Sequence, residues 1–126
     1  MGLTVGRLEH WTLVTKDIER SKRFYTEILN AKPVNREWPP AVALGDTTID
    51  LFAANDEQHP EPGSPGQHHA YRINPEDYDN WVEHIRGKGV EPFLAHHGSR
   101  RISIYVDDPD GYHIELTAAF DDDETG

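Results

Sequence analysis

The sequence predicts an α+β fold built from two βαβββ modules, and three observations carry that prediction. Residues Ile49-Asp50-Leu51-Phe52-Ala53-Ala54 return as Ile114-Glu115-Leu116-Thr117-Ala118-Ala119, with Ile, Leu, Ala and Ala in register and one carboxylate repeated. Leu8-Glu9-His10-Trp11-Thr12-Leu13 has a counterpart in Gln67-His68-His69-Ala70-Tyr71-Arg72, which pairs His10 with His68. Between these echoes, each half reads strand, helix, then three strands. Each half therefore supplies one histidine near its start and one carboxylate near its end, a duplicated arrangement of metal-ligand chemistry.

The first module begins with an alternating strand over residues 8–15, Trp11 and Leu13 on one face and His10 and Thr12 on the other. Asp17 then opens a helix in which Ile18, Phe24, Tyr25, Ile28 and Leu29 recur at helical spacing while Glu19, Arg20, Lys22, Arg23 and Glu27 face water. Asn30 ends it. Extended pieces follow at 32–37, at 42–45 after the Pro39-Pro40 break, and at 47–53. Residues 55–66 hold three prolines and two glycines and no aliphatic side chain, so they form a linker, with His59 a solvated loop residue.

The pattern restarts with a strand at 68–73. Pro75-Glu76-Asp77 starts a helix whose buried stripe is Tyr78, Trp81, Val82 and Ile85, and Gly87 and Gly89 stop it. Strands follow at 90–94, 101–106 and 112–118, the last two joined by the turn Asp107-Asp108-Pro109-Asp110-Gly111. The expected organisation is a first module at 1–54, a linker at 55–66, a second module at 67–120 and an acidic, solvated tail at 121–126, all in one structural domain.

Composition bounds the function. A chain of 126 residues buries one core, so the modules share it. The absence of cysteine removes disulfides, thiolate metal sites and thiol nucleophiles. A formal charge of -11 argues against nucleic acid or an anionic membrane as partner. No apolar run approaches the roughly 18 residues of a membrane span, and the amino terminus lacks a signal pattern, so a cytoplasmic protein is expected.

Alternation says where the chemistry points. Ile114 and Leu116 share a face, leaving His113, Glu115 and Thr117 on the other. Ile49 and Leu51 oppose Asp50, Tyr71 and Ile73 oppose His68, and Ile102 and Ile104 oppose Ser103 and Tyr105. The apolar faces can cover helices. The remaining faces carry His10, Asp50, His68, Arg72, Arg101, Tyr105, His113 and Glu115, too polar for a core and suited to a wet cleft collected by two curved sheets.

With His10 followed by Asp17 and Phe24-Tyr25, His68 followed by Ala70, and above all Asp108-Pro109-Asp110-Gly111-Tyr112-His113-Ile114-Glu115, the sequence resembles the vicinal oxygen chelate superfamily. That group includes glyoxalase I, bleomycin resistance proteins, fosfomycin thiol transferases, methylmalonyl-CoA epimerase and extradiol dioxygenases. The resemblance covers about residues 7–119. It implies a half-barrel of mixed sheet around a central cleft, a divalent metal held by His10, His68 and Glu115, and a homodimer acting on a small molecule. Two imidazoles and one carboxylate suit Fe(II), Mn(II), Ni(II) or Zn(II). His69 shares the helix-facing parity of Tyr71, which favours His68 as the ligand. Asp50 falls where glyoxalase-like relatives place a Glu, and reads either as a ligand or base or as a merely cavity-facing acid.

The resemblance implies chelation of vicinal oxygens and stabilisation of an enolate- or alkoxide-like intermediate. An extradiol dioxygenase would use a His, a Tyr and the ligand Glu, for which His96, Tyr105 and Glu115 are the candidates; His96 and His97 read equally as loop histidines. A glyoxalase or epimerase would use Asp50. For a fosfomycin-type thiol transferase, Arg72, Arg101 and His113 are available to bind substrate, but the chain ends eleven residues after Glu115 without the arginine-bearing segment such enzymes use. A metal-free drug-binding protein of the bleomycin-resistance kind is the alternative outside enzymes.

Overall fold

The computed structural model describes residues 2–120. The acidic stretch from Asp121 to Glu124 lies outside the described residues. The chain divides into two compact units, one ending at Pro60 and one starting at Glu61. Each is a mixed four-stranded sheet with one principal helix, so the α+β class stands, and neither sheet closes into a barrel.

The first unit runs β1 (His10–Thr15), α1 (Ile18–Ile28), β2 (Lys32–Pro33), β3 (Ala41–Leu44) and β4 (Thr47–Ala53). Its sheet order is β1-β4-β3-β2, with β1 parallel to β4 and the other pairs antiparallel. Asp17 caps α1: its backbone is extended and its carboxylate accepts the amide of Arg20 at 3.1 Å. Thr15 and Ser21, both buried, join strand end to helix start through hydroxyls 2.7 Å apart. Asn30, at φ 58°, ends the helix in the left-handed region that asparagine tolerates. Tyr25, Leu29, Leu13, Val42, Ile49 and Leu51 are almost wholly buried, and α1 packs on β2, β3 and β4.

The second unit runs β5 (His68–Arg72), a 3-10 turn at Pro75–Asp77, α2 (Tyr78–Gly87), β6 (Phe93–His97), β7 (Arg101–Asp107) and β8 (His113–Ala119), with sheet order β5-β8-β7-β6. β5 is parallel to β8, as β1 is to β4. The buried apolar side chains are Val82 and Ile85 of α2 and Ile102, Ile104, Val106, Ile114, Leu116 and Ala118 of the sheet. Tyr78 ties helix to strand by donating its hydroxyl to the Ser103 carbonyl at 3.3 Å. In the β7–β8 turn the buried Asp108 accepts the amides of Asp110 and Tyr112, each at 2.9 Å, and Gly111 takes φ 93°.

Two strands differ from expectation. The piece expected at 32–37 pairs as a strand only at Lys32 and Pro33; beyond them residues 35–38 are exposed, and Arg36 donates Nε to the Pro39 carbonyl at 2.9 Å. The strand expected at 90–94 starts at Phe93 and runs to His97. The Val90 amide is used to close the end of α2 on the Ile85 carbonyl, and Pro92 has no amide to give a ladder. His96 and His97 consequently lie in a strand rather than a loop.

Candidate functional site

The open face of the second sheet is a grid fixed by strand register. His68 stands beside His113, which stands beside Asp107; the next row holds Ala70, Glu115, Tyr105 and Phe93; the next, Arg72, Thr117, Ser103 and Ala95; the last, Ala119, Arg101 and His97. His68, His113, Glu115, Tyr105, Arg72 and Arg101 thus share one face. His69 pairs with Ile114 on the opposite face, where burial and then the neighbouring His68 lower its pKa below the usual histidine value. His96 pairs with Ile102, also on the opposite face. The residue brought to Tyr105 is His97, whose Nε2 lies 3.0 Å from the phenol oxygen.

Because Ala70, next to Glu115, is small, the His68 side chain reaches diagonally and sets Nε2 2.9 Å from Glu115 Oε1. Nδ1 of His68 is 3.1 Å from the Pro65 carbonyl, an acceptor only, so Nδ1 is the donor. In the neutral ring Nε2 then turns a lone pair on a carboxylate oxygen, an arrangement that needs a proton or a metal ion between them. The spacing fits a metal: two donors bound at a right angle with bonds of about 2.1 Å lie about 3 Å apart. Glu115 is only 7% exposed and is braced from behind by the fully buried Ser103, whose hydroxyl donates to Oε2 at 2.6 Å. Ser103 also lies 3.3 Å from the Thr117 hydroxyl, which accepts from Arg101 Nη1 at 3.1 Å. Tyr105 faces Glu115 across the ladder; burial first, then the Glu115 charge, raise its pKa, so it keeps its proton.

The first unit repeats the dyad with a different partner. His10 Nδ1 meets Glu9 Oε1 at 2.8 Å, and its Nε2 lies 3.9 Å from Asp50 Oδ2. Asp50, 9% exposed, is held on its other oxygen by Arg36 Nη2 at 2.5 Å. These groups line a cavity of about 490 Å³ together with Arg7, Asp46 and Thr48. Neither unit by itself brings three metal-ligating side chains together among the described residues. Arg36 is the side chain here that leaves no sign in the sequence, while Ser103 and His97, placed by alternation and as a loop histidine, gain their contacts with Glu115 and Tyr105 only in the structure. Ser103 was legible as the inward neighbour of Thr117 by alternation; Arg36 comes from irregular chain and leaves no periodic signal.

The parallel pairing of first and last strands, the doubled module and the dyad define the class, and comparison with known proteins agrees. The chain belongs to the Glyoxalase/Bleomycin resistance protein/Dioxygenase superfamily, whose family model matches residues 7–116. It is 28% identical to the fosfomycin resistance protein FosX of Listeria monocytogenes, over 90% of both chains. A solved mutant of that FosX, complexed with Mn(II) and 1S,2S-dihydroxypropylphosphonic acid, superposes with a TM-score of 0.71 at 26% identity, covering 90% of both chains. It is also 29% identical to a manganese-dependent 2,3-dihydroxybiphenyl 1,2-dioxygenase of Geobacillus genomosp. 3, over 92% of this chain and 38% of that one.

Proposed function

We propose that this chain is a divalent-metal enzyme that takes a small oxyanionic substrate, with a fosfomycin-type phosphonate as the first candidate. The observation that carries the reading is the His68–Glu115 contact at 2.9 Å with the far nitrogen of His68 anchored on Pro65. Such second contacts orient a ligating imidazole and fix its tautomer. His68 and Glu115 would hold the metal, with His10 as third ligand by the family resemblance. A bound divalent ion would supply Lewis-acid polarisation of substrate oxygens.

The chain's own groups do the rest. Ser103 fixes the Glu115 carboxylate, Tyr105 offers a retained proton at its hydroxyl, and Arg101, steadied by Thr117, presents cationic N–H groups to an oxyanion. Arg72, beside Thr117 on the same face, adds a second cation. Asp50, engaged by Arg36, reads as a charge partner rather than a ligand. A homodimer is part of the proposal, tested by its mass in solution.

Protein purified without chelators is expected to carry stoichiometric divalent metal, lost in His68→Ala and Glu115→Gln, and to consume fosfomycin by phosphorus NMR with water or an added thiol. Metal-free protein whose ligand affinity survives His68→Ala would defeat the enzyme reading and favour the drug-binding alternative. A second reading, an extradiol dioxygenase, is favoured by the His97–Tyr105 contact on the face of Glu115. Oxygen uptake with a catechol panel supports it; its absence removes it.

A further inference from the structure

The second unit contains a cavity of about 430 Å³ lined by Pro65, Gly66, Phe93, Tyr105, Asp107 and His113, of which the chemistry proposed above uses only the Tyr105 hydroxyl. That volume lies in the range of about 300–1,000 Å³ usual for small-molecule sites. Its floor is aromatic: Phe93 and Tyr105 are cross-strand partners with ring centroids 6.1 Å apart. Its far wall is Pro65-Gly66, the segment whose carbonyl anchors His68. Asp107 and His113 are held together, with Asp107 Oδ1 2.7 Å from His113 Nδ1, and His113 Nε2 lies 3.4 Å from the Gly63 carbonyl.

The cavity borders the dyad through Tyr105, which pairs with Glu115. The Tyr105 ring meets the His68 ring edge-on at 5.8 Å, and Phe93, Tyr105, His113 and Glu115 all lie on one face of the sheet. Phe93 is 68% exposed, so no core holds it there and its ring is free to meet a ligand. We infer that this cavity is the subsite for a planar, apolar group of the substrate, whose oxygens reach His68 and Glu115. The inference rests on the reading of that dyad as a metal-binding pair. It extends the substrate class from small phosphonates such as fosfomycin to oxyanions bearing an aromatic or similarly flat group. Tyr105 and Phe93 would give that group an edge-and-face contact surface, and Pro65-Gly66 would close it from the other side.

The test compares methylphosphonate with phenylphosphonate, which share the oxyanion and differ in the ring. Binding is measured by calorimetry on Mn(II)-loaded protein and on the same protein after chelation. Phenylphosphonate is expected to bind about tenfold or more tightly, the Phe93→Ser variant to lose that preference while keeping its methylphosphonate affinity, and intermolecular NOEs, recorded on diamagnetic Zn(II)-loaded protein, to run from the phenyl protons to the Phe93 and Tyr105 rings. Equal affinities on metal-loaded protein, or NOEs landing elsewhere, overturn the subsite and leave the metal site standing. A phenyl preference on protein that takes up no metal supports the subsite and removes the metal reading; no metal and no phosphonate binding removes both. Dissociation of an oligomer in Phe93→Ser overturns the inference too, by giving this face to a second copy of the chain. Phe93→Leu, which keeps apolar area and removes the ring, checks that the loss in the serine variant is not a folding effect.

Discussion

Arg36 Nη2 lies 2.5 Å from Asp50 Oδ1, so the acid that echoes Glu115 in the first unit is charge-paired before any ligand arrives. The arginine is itself fixed by Nε on the Pro39 carbonyl, and its planar fork suits a carboxylate. Glu115, by contrast, has a neutral serine and a histidine as partners. The two equivalent positions of the duplicated module therefore sit in different surroundings: Glu115 meets a neutral hydroxyl and an imidazole, Asp50 a guanidinium.

Removing the arginine should expose that difference. Among the described residues, Arg36→Met leaves a largely buried carboxylate with His10 at 3.9 Å as its remaining ion-pair partner, and the loss of a partly buried pair should cost about 2 kcal/mol in urea unfolding. Adding Asp50→Asn should recover part of it, because the stranded charge goes too. A double-mutant cycle with no coupling would show that the pair is incidental.

Ser103→Ala removes the hydroxyl that donates to Glu115 Oε2 at 2.6 Å. Outer contacts of this kind are worth roughly tenfold to a hundredfold in metal affinity, so Mn(II) titration should show a weakening of that order. Ser103→Thr, which keeps the hydroxyl, should restore most of it if the cavity admits the methyl group.

Tyr105 should be among the last tyrosines to ionise in metal-free protein. Burial and the Glu115 charge raise its pKa, so the folded state favours the protonated phenol. The stability that this preference contributes is fully present below pH about 10 and is lost as pH rises through the folded value. Ultraviolet titration of the wild type minus Tyr105→Phe should place this phenolate above that pH. Relieving the charge with Glu115→Gln should bring it down.

Gly111→Ala tests the β7–β8 turn. At φ 93° an alanine is strained, and its Cβ would meet Pro62 Cγ at 3.3 Å. A loss of about 1–3 kcal/mol is expected by chemical denaturation. Tyr112, which follows, accepts the Glu61 amide at 3.1 Å, so hydrogen exchange at Glu61 should rise in the same variant.

The elements that alternation governs were legible in the sequence: His68 rather than His69 on the open face, Glu115 beside it, and Arg72, Arg101 and Tyr105 on the same side. Where the reading slipped, a single backbone group decided. Pro92 and the Val90 amide moved the start of β6 from residue 90 to Phe93, and the pairing of His97 with Arg101 then set which histidine faces Tyr105. Arg36 was out of reach for another reason. A long side chain from an irregular segment can meet an acid fourteen residues away without any periodicity that announces it.

The parallel pairing of first and last strands has one more consequence. In both units the histidine pairs with the residue two positions before the acid, His10 with Thr48 ahead of Asp50 and His68 with His113 ahead of Glu115. The diagonal is thus written into the register and survives whatever side chains occupy it. The two units thus carry the same diagonal among different neighbours, and they differ by one methylene in the acid and one arginine beside it. Two substitutions, Asp50→Glu with Arg36→Met, would give the first unit the acid of the second without its guanidinium.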